Sequence, residues 1–299
     1  MNITITGSIG HISRPLAKGL IEKGHVVTVI SSNSDRKKEI EELGANAAIG
    51  SLEDKGFLAA SFAGSDAVYT MVPPNNYFDP SLNLIDYYQR LGDNYTDAIQ
   101  KSGVKRVVNL SSIGAHLKEG NGILVGAYNV EQTLNQLSRE VSITHIRPTS
   151  FYYNLYGYVE MIKNAGVIAA NYGGEGVIPW VAPVDIADAV GEELVDLSTK
   201  RNVRYVCSEE LSGNETARIL GERIGKPELK WLVISDEETL AGLEQIGMNQ
   251  EVAAGLVEMY QGLRTGLLAE DYYRNRPAKL GNVKMLDFAT EFATQFPAK

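Results

Sequence analysis

Thr6-Gly7-Ser8-Ile9-Gly10-His11-Ile12-Ser13 is the stretch whose residue types and spacing best suit chemistry in this chain. Two glycines three residues apart let the backbone turn tightly and present bare N–H groups. Amides at the start of a helix attract an anion. The flanks supply the strand and the helix. Ile3-Thr4-Ile5 reads as a first buried strand, and Leu16, Leu20 and Ile21 recur at helical spacing after the turn. Pro15 suits a first helical turn, where the missing N–H has no partner to lose. Such a unit holds a pyrophosphate: Gly7 makes the turn, Gly10 permits the approach, and Ser8, Ile9, His11 and Ile12 surround it with backbone. Ser13 stands where a third glycine would allow the closest packing, so helix and strand are expected to lie slightly farther apart.

The next strand, Val26–Ile30, ends on residues that bear on which dinucleotide is held. An acid about 20 residues beyond the glycine turn would bind the adenosine ribose hydroxyls and mark NAD(H). Ser31, Ser32 and Asn33 occupy that place; the first acid is Asp35, and Arg36 and Lys37 follow at once. Hydroxyls with cations suit a 2′-phosphate, so NADP(H) is expected to be preferred over NAD(H). The plainer reading of the same residues is a helix capped by Ser34, with Lys37 and Lys38 on a solvated face. Both can hold at once. Gly50-Ser51-Leu52 follows a short third strand and is expected beside the adenine. Met71-Val72-Pro73 ends the fourth strand and Ser111-Ser112 follows the fifth.

Buried strands alternate with amphipathic helices through short connections, which predicts an α/β fold: a Rossmann-type, doubly wound parallel sheet with helices on both faces. Helices are expected over 34–43, 80–102 and 127–139, a sixth strand over 143–148 and a seventh over 203–207. Residues 1–150 form the dinucleotide-binding domain, its sheet completed within 183–210. Residues 151–182 and 211–299 form a smaller, mainly helical substrate lobe with no strong strand beyond 210. Ligands in such sheets bind past the carboxyl ends of the strands. That rule assigns Ile113, Phe151, Tyr152, Tyr153 and Asn154 to a substrate cleft, although tyrosines at helical spacing more often serve a core. Gly173-Gly174-Glu175-Gly176 reads as a flexible lid loop.

Composition narrows the function. The chain has 299 residues, 44% of them hydrophobic, enough for a sizeable core. Its formal net charge of -9 disfavours a surface that wraps nucleic acid. Cys207 is the single cysteine, so neither a disulfide framework nor a thiolate metal cluster is expected. His11, His25, His116 and His145 lack ligand spacing, and no metal site is expected. No apolar run approaches the ~20 residues that cross a bilayer. A cytoplasmic protein follows, with a homodimer left open.

Thr6-Gly-x-x-Gly10, Leu110-Ser111-Ser112, Arg147-Pro148 and Val184-Asp185-Ile186-Ala187, in that order, resemble the NmrA-like group of atypical short-chain dehydrogenase/reductases over about residues 1–210. The resemblance implies a Rossmann domain, NAD(P) binding and a cleft roofed by the C-terminal lobe. Carried over by position, Gly7, Gly10, His11 and Ile12 hold the pyrophosphate. Ser32, Asn33 and Arg36 meet the adenosine phosphate, while Ser111 and Ser112 line the nicotinamide side. Members of the group include NAD(P)H-dependent reductases and redox sensors that bind NADP without turnover. One departure stands out. None of the fifteen tyrosines has a lysine four residues on, so the usual Tyr-x-x-x-Lys acid is missing. The lysine that reductases of this group often keep, four residues before a glutamate, falls at Ala127 when aligned on Glu131. Tyr128 is offset by one residue, and His116 follows the serines; these two are the candidate acids. A reductase of a small conjugated electrophile such as a quinone fits this set. A non-catalytic NADP(H) sensor acting through a protein partner is the alternative.

Overall fold

A computed structural model describes residues 1–196, 198 and 200–296. Leu197 and Thr199 of the expected range 183–210, and positions 297–299 of the expected lobe, lie outside the described residues. The first half runs β1 (Asn2–Ile5), α1 (Ser13–Glu22), β2 (Val26–Ser31), α2 (Lys37–Glu42), β3 (Asn46–Ile49), α3 (Lys55–Phe62), β4 (Ala67–Thr70), α4 (Leu84–Ser102), β5 (Arg106–Leu110), α5 (Val125–Leu134) and β6 (Ser142–Pro148). After β7 (Ser150–Phe151), a 3₁₀ helix over Tyr152–Tyr158 leads into α6 (Val159–Ala165), β8 (Val167–Ala170) and β9 (Val177–Val181). Then come α7 (Pro183–Val195) and β10 (Arg201–Val206). The rest is β11 (Glu209–Ser212), α8 (Gly213–Arg223), β12 (Lys230–Val233), α9 (Asp236–Gln245), α10 (Gln250–Arg264), α11 (Glu270–Arg274) and α12 (Met285–Phe292).

The main sheet has seven strands in the order β10-β6-β5-β4-β1-β2-β3, and every neighbouring pair is parallel. Apolar runs with no polar alternation produce it. β4 and β6 are buried at every position, as a sheet covered on both faces requires. On one face Leu16 and Leu20 of α1 and Ile186 and Val190 of α7 pack over Ile3, Ile5, Val29 and Val108. On the other, Phe62, Leu91, Tyr95 and Val130 from α3, α4 and α5 cover Ile30, Val68, Val107 and Ile143. Each such side chain, fully buried, contributes about 1.5–3 kcal/mol. Caps set the helix limits. The helix expected from 80 begins at Leu84, because the Asn83 side chain accepts from Asp86 N–H, and it stops at Gly103 with φ 75°. Between 34 and 43 a 3₁₀ turn precedes α2, and Asn33 rather than Ser34 is its cap.

The lobe has its own core of Tyr152, Ile168, Trp180, Leu220, Trp231 and Phe288. It is less purely helical than expected. β9 pairs with β7 in parallel and with β11 antiparallel, and β12 pairs with β8. Beyond position 210, β12 is held largely by Trp231, its one buried residue, whose indole N–H donates to the Tyr172 carbonyl at 2.6 Å. Among the described residues, no helix is long and apolar enough to cross a membrane.

Candidate functional site

At the carboxyl end of β1 the chain passes between β4 and β2, where the strand order reverses. Thr6 N–H donates to Tyr69 O at 3.1 Å and Thr6 Oγ1 accepts from Met71 N–H at 3.0 Å, clipping β1 to β4. Gly7 then turns at φ 87°, and a Cβ there would lie 2.8 Å from Ser13 Oγ. Ser8 follows at φ 55°, a left-handed backbone that few side-chain-bearing residues adopt. Its hydroxyl donates to Ser31 Oγ at 2.9 Å, tying the turn to the end of β2. Ser13 is buried and donates its hydroxyl to Thr6 O at 2.9 Å, so the side chain expected only to space helix from strand also joins them.

Ile12 occupies the N-cap of α1 without a side-chain cap, and no acid stands in the first turn. Among the described residues, the N–H groups of Ile9, His11 and Ile12 meet no protein acceptor. Unsatisfied amides at the positive end of a helix, beside an exposed Gly10, are the donor set a pyrophosphate needs. The remaining strand ends surround this turn. Ser31 Oγ accepts from Asn33 N–H at 3.2 Å, and Ser32, Asn33 and Arg36 are exposed. Gly50 N–H donates to Ser31 O at 2.9 Å, with Ser51 exposed and Leu52 half-buried beside it. Met71, Val72 and Pro73 are half-buried, and Tyr95 OH donates to Met71 O at 2.6 Å. One cation went unnoticed in the sequence. Arg14, in the first turn of α1, shares the Glu39 carboxylate with Arg36.

The end of β5 carries a buried polar chain. Ser111 donates to Glu131 Oε1 at 2.5 Å, and Arg147 grips Glu131 through Nε at 2.9 Å and Nη2 at 2.6 Å. Arg147 Nη1 continues to Asp271 Oδ2 at 3.0 Å, which also accepts from Tyr205 OH at 2.6 Å. Burial works against the guanidinium charge, but Glu131 more than offsets it, and the pKa of Arg147 is raised. Ala127, one turn before Glu131, is buried and offers no ammonium.

A cleft of about 370 Å³ opens between the glycine turn and the lobe. Its walls are His11, Tyr152, Tyr153, Tyr156, the start of α7 at Ala182–Val184, Val283 and one side of α12, with Asp287, Phe288 and Glu291. His11 stacks on Tyr153 with centroids 5.3 Å apart, and Tyr153 stacks on Phe151 at 4.9 Å. The 3₁₀ winding of Tyr152–Tyr158 explains which tyrosines face inward. At three residues per turn, Tyr153 and Tyr156 share a face, while Asn154 and Gly157 are turned to solvent. Asn154, expected in the cleft, is therefore exposed and not part of its lining. Ile113 is likewise elsewhere, buried with Tyr205, Cys207 and Tyr272. Tyr152 both lines the cleft and serves the core, its hydroxyl 3.3 Å from Val283 O.

Asp185 holds the cleft's outer wall. It accepts from Ser208 Oγ at 2.5 Å and from the N–H groups of Asn282 at 3.0 Å and Val283 at 3.2 Å, fixing the chain that leads into α12. The two expected acids lie outside the cleft lining. Tyr128 is half-buried on α5. His116, weighed as a solvated loop residue, has both ring nitrogens buried without hydrogen-bond partners among the described residues, and this burial lowers its pKa.

A parallel seven-stranded sheet with an uncapped glycine turn at its switch point is the mark of an NAD(P)-binding Rossmann protein. The model of the NmrA-like family matches residues 1–269, and the chain belongs to that family. It is 24% identical over 260 residues to an NAD(P)H azoreductase of Xenophilus azovorans, covering 86% of each chain. Its fold superposes on the triphenylmethane reductase of Citrobacter sp. with a TM-score of 0.76 at 18% identity, covering 97% of this chain and 100% of the other. For an NADPH-dependent quinone oxidoreductase of Escherichia coli the TM-score is 0.78 at 16% identity, covering 97% and 99%.

Proposed function

We propose that the protein is an NADPH-dependent reductase of small, flat, conjugated electrophiles such as quinones. The supporting observation is the state of the hydroxyls around the cleft. Ser111 is committed to Glu131, and Tyr156 donates to Glu291 at 3.0 Å. Tyr152 reaches Val283 O at 3.3 Å and Glu209 Oε2 at 3.4 Å. Tyr153 is the cleft hydroxyl left without a hydrogen bond among the described residues, and burial pushes it up to about 12. It can hold a carbonyl oxygen, but it yields its proton reluctantly. The reduced nicotinamide, when bound, supplies a hydride. An acceptor whose reduced anion is already stabilised by resonance takes that hydride without a strong acid, and water supplies the proton. A plain ketone does not.

In this reading Ile9, Gly10, His11 and Ile12 hold the pyrophosphate, and Gly50–Leu52 and Met71–Pro73 flank the adenine and ribose. Ser111 and Ser112 meet the nicotinamide side, and the aromatic walls take the flat acceptor. Ser31, Ser32, Asn33, Arg36 and Arg14 favour NADP(H) over NAD(H). The Citrobacter and Escherichia coli relatives named above have been crystallised with NADP(H) and NADPH, respectively. The names of the azoreductase, dye reductase and quinone oxidoreductase share a conjugated acceptor.

The test follows NADPH absorbance against quinones, azo dyes and simple ketones. Quinones and dyes should be reduced, and ketones should lag by at least ~10²-fold, the usual contribution of a positioned acid. Tyr128→Phe and His116→Ala should leave quinone turnover nearly intact. Gly10→Val should abolish binding of either cofactor, because its side chain fills the pyrophosphate's place; its Cβ also lies 3.2 Å from Gly7 O, so the far-ultraviolet circular dichroism of the variant is compared with that of the unaltered chain. Equal rates with ketones, or a large loss on Tyr128→Phe, would overturn the mechanism. Tight NADPH binding with no acceptor turned over would replace it by a sensor acting on a protein partner.

A further inference from the structure

Glu39 sits on α2 with its carboxylate between two guanidiniums. Arg36 Nη1 lies 2.7 Å from Oε2, and Arg14 from α1 pairs with Oε1. The three side chains are 50%, 44% and 37% exposed for Arg36, Arg14 and Glu39, so the cluster faces solvent beside the Ser31–Asn33 turn. Both arginines pull the Glu39 carboxyl below its ordinary range, and it is ionised at neutral pH. The other cations of α2 are engaged elsewhere. Lys37 lies 3.9 Å from Glu41 and Lys38 lies 3.6 Å from Glu42. The turn therefore offers an incoming 2′-phosphate two arginines, and Glu39 already lies against both.

We propose that Glu39 is a specificity-determining residue: it competes with the cofactor's 2′-phosphate for Arg14 and Arg36 and so restrains the preference for NADP(H). The inference rests on the cofactor reading given above. A site lacking Glu39 would meet the phosphate with two free guanidiniums. With Glu39 present, the phosphate must displace a carboxylate that then remains close by and repels it. Displacement is feasible because exposed ion pairs of this kind are weak. NAD(H) carries no 2′-phosphate, so Glu39 penalises NADP(H) alone.

The experiment is calorimetric titration of NADP⁺ and NAD⁺ into the full chain and into Glu39→Gln, with 2′,5′-ADP as a fragment that isolates the phosphate end. Glutamine keeps the length and helix preference of the side chain and removes the charge. Glu39→Gln should raise affinity for NADP⁺ and 2′,5′-ADP by roughly three- to ten-fold. Its affinity for NAD⁺ should stay level. Glu39→Asp keeps the charge but shortens its reach, and should give a smaller gain. Glu42→Gln changes net charge equally on the same helix but lies against Lys38, so the cofactor ratio should not move. If Glu39→Gln binds NADP⁺ no better than the unaltered chain, or only as much better as Glu42→Gln, Glu39 does not compete and the inference falls alone. If neither chain binds NADP⁺ or 2′,5′-ADP, the cofactor reading falls and carries this inference with it.

Discussion

Arg106 and Arg147 stand on neighbouring strands, are both buried, and are both paired with a buried glutamate. They lie at opposite ends of these strands, the amino and carboxyl edges of the layer, and on opposite faces of the sheet. Arg106 begins β5 and faces α7. It meets Glu193 Oε2 at 2.8 Å, the Glu193 carbonyl at 2.7 Å, Thr144 Oγ1 at 2.9 Å and Ser142 Oγ at 3.3 Å. Arg147 ends β6 and faces α5. Its glutamate reaches Ser111 past the end of β5, and its free end reaches Asp271 on α11. The first pair is closed within the frame and pins a helix to the sheet. The second joins the end of β5 to α11 in the C-terminal part of the chain. The amino-end pair thus stays between the sheet and the helix that covers it, whereas the carboxyl-end pair reaches from the end of β5 to α11.

Large effects should come at both ends, and they should differ in kind. Arg106→Ala strips the Glu193 carbonyl, Thr144 and Ser142 of a buried donor and takes one cation from the Glu193 carboxylate, which keeps Lys200 and Arg204. Each buried group left unpaired costs about 1–3 kcal/mol, so the total should reach about 3 kcal/mol. Urea unfolding should show that loss, while cofactor affinity of the folded fraction stays level. A drop in affinity equal to that of a site variant would erase the distinction between the two edges.

Arg147→Ala should cost as much or more, about 3–5 kcal/mol, because among the described residues the buried Glu131 loses its one ion-pair partner and keeps the Ser111 hydroxyl. Its signature is a second readout. With Arg147 gone, Asp271 loses an ion pair, and backbone amides of Glu270–Arg274 should exchange with solvent faster. Arg106→Ala should leave those amides alone. Unchanged exchange in Arg147→Ala would mean that the link to α11 carries no weight.

The same contrast separates what could be read in the sequence from what could not. The sheet, its seven main strands and the glycine turn were legible because local spacing dictates them: continuous apolar runs, a helix period and two glycines three apart. The 3₁₀ run at Tyr152–Tyr158 was not: the strand-end rule brings a whole segment to the cleft without saying which side chains face it, and a three-residue winding turns Asn154 outward. β12 escaped notice because four residues with a single buried tryptophan show no alternation. The walls from α12 and the Asp185 clamp join residues about a hundred positions apart, and no local pattern reveals that. Arg14 could have been found. A cation in the first turn of a helix opposes the helix dipole, and one placed there beside a phosphate turn invites an explanation.

The smallest effect concerns His145, midway along β6 on the face it shares with Arg147. Period-two alternation puts it against α5, where it lies 3.2 Å from Asn109 Nδ2 and 3.3 Å from Asn135 Oδ1. Burial lowers its pKa in the folded protein, with Arg147 and Arg201 adding to the effect against the pull of Glu131. The unfolded chain has an ordinary imidazole, near 6.5, and therefore binds more protons as pH falls. Stability from this residue is full above the unfolded value and declines as pH drops from about 6.5 toward the folded one. The slope is at most about 1.4 kcal/mol per pH unit for one proton. Glu193 acts in a lower window. Its burial is outweighed by Lys200, Thr144 and Arg204, which hold its carboxyl below the ordinary value of 4.5, so its contribution is lost only under stronger acid. Urea unfolding at pH 7, 6 and 5 should therefore show falling stability, and His145→Gln, which keeps both an amide donor and an acceptor, should flatten that fall. His25 and His116, also lowered by burial, leave a residual slope. An identical decline in His145→Gln would mean that the imidazole on β6 takes up its proton in the folded protein as readily as in the unfolded one.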